Sequence, residues 1–292
     1  MNPARAAGWS NGRMNTLPAL FVSHGSPMIA LEPREAGAFL STLGPAIDRQ
    51  FGRPKAILVA SAHSLTREPV LLGAAHHEAV HDFGGFDPRL YEMRYGAAGA
   101  PALAATVAGL LRAAGIPAHI SPEGGLDHGI WTPLRYLYPQ ADVPVLPLAL
   151  PPNWSPAQLH AMGQALAPLA AQGVLVVGSG SITHNLRRVF SGGGLHPRAD
   201  QPATPESTAF RDWFKERTEA GDWPALLEYR AQAPHAALMH PTDEHLLPFF
   251  VAAGAAGTQA GRRIHASLTF GDLGMDAYAF GSGAEALVQP GA

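Results

Sequence analysis

Histidine is abundant in this chain: there are 14, beside only 20 lysines and arginines. Their placement matters more than their number. His24 closes the apolar run LPALFVS, His63 ends KAILVASAH, and His184 follows GVLVVGSGSIT. In open α/β sheets, ligands bind in the crevice beyond the carboxyl ends of the strands, so these three residues can converge on one site. His128 in GLDHGIW and His240 in HPTDEH lie on turn-rich segments that could close it. A neutral imidazole suits divalent iron, zinc and copper, and it can also carry a proton. Cysteine is absent, which excludes disulfides and thiolate ligands and leaves a histidine-rich or histidine-plus-carboxylate metal site. Asp127 is a candidate to orient a neighbouring imidazole. HPTDEH poses a sharper question, because His240, Glu244 and His245 cannot all reach one ion.

The elements that must position these residues are legible in the hydrophobic pattern. The runs 17–23, 55–62, 143–150 and 173–179 read as short buried strands bounded by turn residues. Leu103, Val107, Leu110 and Leu111 recur at helical spacing over 100–114. In SPAQLHAMGQALAPLAAQG, Ser155 can cap a helix that has Pro156 at its first position. Further helices are expected over 205–220, with Phe210, Trp213 and Phe214 inward, and over 222–232. A last helix is expected to open after Thr242, with Asp243 and Glu244 in its first turn, and to stop near Gly254. The alternation in RIHASLTFGDLGMDAYAFG suggests a terminal strand or hairpin. Strands alternating with helices imply a single-domain α/β fold, with a mostly parallel or mixed central sheet and helices on both faces. The expected organisation is an N-terminal tail over 1–16, a catalytic domain over 17–280 and a C-terminal tail over 281–292, with the Gly/Pro-rich loop 191–206 as a lid or specificity loop.

Composition narrows the partners. Net charge is −3 with no basic run, so nucleic acid and anionic membranes are poor candidates. No run approaches the ~18 apolar residues of a membrane span, and the N-terminus lacks the apolar core of a signal peptide. A soluble cytoplasmic protein is expected, monomer or homodimer. The segment VGSGSITH is neither a Gly-x-Ser-x-Gly nucleophile elbow nor a Gly-x-Gly-x-x-Gly loop, and no P-loop or His-Glu-x-x-His helix is present. Its glycines are read as letting the backbone approach a ligand and setting up His184. His76, His77, His119, His160, His196 and His265 are taken as surface or structural residues. His81 could line a pocket or pin a loop.

Six segments in order, SHGSPM, ASAHS, HDFGGFDPRLYEMRY, LDHGIWTPL, GSGSITHNL and HPTDEHLLPF, resemble the type III extradiol ring-cleavage dioxygenases, the family of the protocatechuate 4,5-dioxygenase catalytic subunit. The likeness is strongest to the 4,5-DOPA extradiol dioxygenase branch and runs from about residue 17 to 280. It implies an α/β fold in which non-haem Fe(II), or Zn(II) in its place, sits at the site and a small aromatic diol is opened by O2 to a muconic semialdehyde. By motif, the resemblance implies His24, His63 and His240 as metal ligands; Glu244 is then expected as a helix-dipole partner or as support behind a ligand, and His245 as structural or pocket-lining. It implies His184 as the catalytic histidine and a possible fourth ligand, with His128 near the substrate. Arg89 and Tyr95, in the motif-rich segment, are candidates for substrate contact, as are Tyr91 and Arg94. Two other readings stand beside this one: a zinc hydrolase using the same histidines, which an open three-histidine site suits chemically, and a non-catalytic binding protein of the Memo type, which would need no proton-transfer residues such as His184 and His128.

Overall fold

The computed structural model describes residues 16–190 and 199–288. Most of the expected N-terminal tail, residues 191–198 of the expected lid loop and the last four residues of the expected C-terminal tail lie outside the described residues. Eight strands form the main sheet. They are β1 (Ala19–Ser23), β2 (Ala56–Leu65), β3 (Val70–Leu72), β4 (His119–Ser121), β5 (Val145–Leu150), β6 (Val174–Gly180), β7 (Gly261–His265) and β8 (Ala277–Phe280). Their order is β4-β3-β5-β2-β6-β1-β8-β7. The central four, β5, β2, β6 and β1, are mutually parallel, while β3 and β8 run antiparallel to their inner neighbours. The sheet is therefore mixed.

Both faces are covered, which explains why the central strands read as continuous apolar runs. Successive side chains on β1, β2 and β6 alternate between two cores: Phe21, Leu58 and Val176 on one side, Leu20, Ile57 and Leu175 on the other. Helix α1 (Arg34–Phe51) packs against α3 (His128–Leu137) and contributes Phe39, Leu43 and Ile47 to the second core. The first core is closed by α2 (Pro101–Ala113), α4 (Pro156–Leu166), α5 (Pro205–Ala220) and α6 (Leu247–Ala255). Ser155 caps α4 as expected, in a full capping box with Gln158.

Two expectations are corrected. The last helix begins at Leu247, not after Thr242, and Pro248 stands in its first turn. A start at Asp243 would place Pro248 in the helix interior, where the missing N–H and the ring clash cost about 3 kcal/mol. The chain over 241–246 is irregular instead. The C-terminal segment is also not wholly a loose tail: the turn Ala284–Leu287 buries Ala284 and Leu287 in the second core. No helix among the described residues is long and apolar enough to cross a membrane.

Candidate active site

The crevice forms where β2, β6 and β1 end side by side. Ser61, Ser179 and Val22 share one row across the three strands, so His24 and His63 stand two residues beyond that row, on either side of β6. His63 still lies within β2, which continues to Leu65. Across the end of β6 runs the segment entering α6. A Cβ on Gly180 would come within 2.0 Å of the carbonyl oxygen of His245, and one on Gly178 within 2.2 Å of that of Pro248. The two glycines of VGSGS thus admit a second piece of backbone, not a ligand as the sequence suggested. Ser181 N–H donates to His245 O and fastens the contact.

This approach delivers His245 to the two strand-end histidines. The Nε2 atoms of His24 and His63 are 3.0 Å apart, and His245 Nε2 is 3.3 Å from that of His63. Nitrogens sharing a tetrahedral ion at 2.0–2.1 Å would be about 3.3–3.4 Å apart; these two edges are close to that, and all three residues offer a ligand atom within 4.8 Å of one another, a spacing that suits a small divalent metal. The tautomers fit as well. Ser179 Oγ gives its proton to Gly129 O, so it accepts from His24 Nδ1 at 3.0 Å and leaves the His24 Nε2 lone pair facing the centre. Glu244 Oε1 lies 3.2 Å from His245 Nδ1 and does the same for that ring. Its carboxyl is held down at about 2 by the hydrogen bond with His245. Burial lowers all three imidazoles: His63 to about 3, also opposed by His128 and His245; His24 well below its ordinary value; and His245 despite Glu244. Neutral rings with lone pairs converging at such distances repel one another unless a cation lies among them, and the donor set fits such an ion.

Two more histidines flank this triangle. His128 opens α3, and Asp82 Oδ1 receives both its backbone N–H at 2.9 Å and its Nδ1–H at 3.0 Å. Its ring centroid is 3.9 Å from that of His63. Burial raises the Asp82 carboxyl, but the hydrogen bonds and charge of His128 outweigh it, and the net direction is down. His184 stacks flat on His245, with centroids 3.5 Å apart and planes 8° from parallel, and burial beside His245 pushes it down to about 2. Phe83 meets His128 edge-on at 5.7 Å and continues into Phe86 and Tyr91, giving the site an aromatic wall.

Residues 18–281 match the family described as the catalytic LigB subunit of aromatic ring-opening dioxygenase. The chain belongs to that family. It is 37% identical to the 4,5-DOPA dioxygenase extradiol of Beta vulgaris, over 92% of this chain and 98% of the relative. It is 36% identical to the protein of the same name from Escherichia coli K12, over 82% and 85%. A dioxygenase of Hapsidospora irregularis, tasH, is 32% identical over 92% and 86%. The crystal structure of an uncharacterized Escherichia coli K12 protein superposes with a TM-score of 0.71 at 29% identity, covering 91% of this chain and all of that one. The fold and the aromatic ring-opening dioxygenase activity expected from the motifs accord with this membership.

The structure brings His24, His63, His128 and His184 together as the sequence suggested, but not His240. Its Nε2 donates to the carbonyl of Ile182 at 2.7 Å, and its ring lies in the core against Phe210. A carbonyl can only accept, so the lone pair of that nitrogen is replaced by a proton and is lost to a metal. The place expected for His240 belongs to His245, which the sequence reading took as structural or pocket-lining. The usable signals were the adjacent Glu244, a ready acceptor for Nδ1, and Pro248, which keeps residues 241–246 out of the helix. Of the two roles expected for Glu244, the helix-dipole one falls away: it bonds to Thr242 and His245, in the supporting position behind the His245 ring. Asp127 orients no imidazole: it accepts from Ser61 and Ser64 at 2.7 and 2.6 Å and so pins β2 on both sides of His63, while burial raises its carboxyl. Of the four candidate substrate contacts, Tyr91 stands in the aromatic wall beside Phe83, and the other three are engaged elsewhere. Tyr95 is buried and donates to Tyr138 O, and Arg89 is a surface residue paired with Asp87. Arg94 is engaged by the carbonyls of Tyr91 and Met93.

Proposed function

We propose that this protein is an extradiol dioxygenase that opens a single-ring catechol of DOPA-like type beside its diol with O2, giving a muconic semialdehyde. His24, His63 and His245 would hold the metal, with Fe(II) as the working ion. The observation that carries this reading is the triangle of Nε2 atoms, two of them backed by fixed Nδ1–H acceptors. When bound, Fe(II) would supply Lewis acidity toward the diol oxygens and electrons for O2.

The chain's own residues then do the positioning and the proton work. Phe83 offers an aromatic edge at which a substrate ring can pack. His184 is neutral and stacked on His245; the negative charge of the bound diol would raise its basicity, so that it can take a phenolic proton. His128, whose Nδ1–H is held by Asp82, presents Nε2 as the second proton carrier and returns a proton to departing oxygen. The substrate class rests on the names of the relatives from Beta vulgaris and Escherichia coli. Action in the cytoplasm, by a monomer or homodimer whose catalytic domain spans 17–280, belongs to the same reading.

The test is anaerobic reconstitution with Fe(II), followed by exposure to O2 and a panel of catechols that includes DOPA. Oxygen uptake with a yellow product is expected, and no uptake with any catechol would overturn the reading. Zn(II) deserves the parallel arm, because the near-tetrahedral spacing suits it. Zinc-loaded protein should neither consume O2 nor hydrolyse esters or amides under argon. Hydrolysis there would favour a zinc hydrolase instead.

A further inference from the structure

His240 is fully buried and outside the triangle, yet it lies directly behind one of its flanking residues. Four hydrogen bonds stitch the segment leaving β6 to the segment entering α6. His240 Nε2 donates to Ile182 O at 2.7 Å, His184 N to Met239 O at 2.9 Å, Asn185 Nδ2 to Leu238 O at 2.6 Å, and Ser181 N to His245 O at 2.8 Å. Three of these bonds involve only backbone or a side chain next to His184. The fourth reaches across with the imidazole of His240, whose ring is set by Phe210 and Tyr229 at centroid distances of 5.5 and 6.5 Å. Ile182 is itself buried, so its carbonyl has no water to turn to if that donor is removed.

We infer that His240 is a positioning residue for His184, fixing the turn 181–184 so that the His184 ring lies flat against His245 at the cluster. The inference rests on the proton-carrying role proposed for His184. His240 touches neither substrate nor metal in this reading. It acts by denying the Ile182 peptide any rotation, and a shift of the reacting group by about 1 Å is enough to cost on the order of a hundredfold in rate.

Three variants test it, with iron content and thermal midpoint measured for each. H240F keeps the ring and its packing but removes the donor. H240Q loses the ring but can extend a side-chain N–H toward Ile182 O. H184A removes the residue being positioned. The expected result is that H240F lowers kcat roughly 10–100-fold, the range of a small misplacement, while KM and bound iron stay at the wild-type level. H240Q should recover most of the lost kcat. In H184A/H240F, the second change should cost nothing beyond the first, because residues acting through one another are not additive. Unchanged kcat in H240F, equal loss in H240F and H240Q, or full additivity in the double variant would each overturn the inference. Wild-type kcat in H184A would instead overturn the role proposed for His184. If H240F does not fold, the rescue comparison passes to N185A and N185Q, which cut and restore the neighbouring bond to Leu238 O. There, equal kcat in both would count against the clamp.

Discussion

His240 and His245 stand five residues apart in one hexapeptide, are both buried, and are both histidine, yet they are put to different uses. The difference lies in what each ring's far nitrogen meets. His245 has a carboxylate at Nδ1 and two other imidazoles at the Nε2 end. His240 has a peptide carbonyl at Nε2 and a wall of aromatic rings. An acceptor behind the ring frees its other nitrogen for a cation, whereas an acceptor in front consumes it. A histidine's partner therefore says more about its use than its burial does.

The contrast can be broken most directly by H245A, which should retain no iron after desalting and should fall to background turnover, while H240A keeps its iron. Equal iron loss in both would erase the distinction. Next in size is the flanking pair: H128F should lower kcat by about 10²–10⁴-fold, the usual share of one acid–base group, with iron content unchanged. A large rise in KM instead would make His128 a binding group. E244Q sharpens the comparison more gently, since the amide can still accept from His245 Nδ1 but carries no charge. Iron affinity should weaken about 10–100-fold, measured by competition with a chelator, and unchanged affinity would detach Glu244 from the site.

The smallest effect concerns histidines that, like His240, are kept neutral by packing. Burial lowers His240 to about 4 and lowers His77, His160 and His265 as well. Unfolded, each titrates near ~6.5. Below that pH the unfolded chain binds protons that the folded chain refuses, so stability is complete above about 6.5 and declines as pH falls toward the lowered values. The urea midpoint should drop from pH 7 to pH 5, and it should drop less in H240Q.

Much of the scaffold was readable because both of its determinants are local. Buried central strands must be apolar on both faces, and residues 55–62 and 173–179 are. Helix α4 announces itself with Ser155, Pro156 and Gln158, which bond only to one another and to nearby backbone. The start of α6 was misplaced because Thr242, Asp243 and Glu244 also look like a first turn, and Pro248, five residues on, decided against them. Asp82, Ser61 and Ser64 were not legible as site partners, since each bonds a residue at least 46 positions away.

By itself, the sequence determined that strand-end histidines would gather at one rim of an α/β sheet, because strand ends are set by short apolar runs and the turn residues that follow. It also determined, by having no cysteine, that no thiolate can serve a metal site. Which histidine of HPTDEH completes the triangle was decided only in three dimensions. Gly178 and Gly180 leave room for the backbone of 245–248 to lie on β6, and that contact brings His245 to the strand-end histidines, while Ile182 and Phe210 hold His240 in the core. The deciding interaction joins residues 65 positions apart through carbonyls and missing side chains, and neither leaves a periodic mark along the chain.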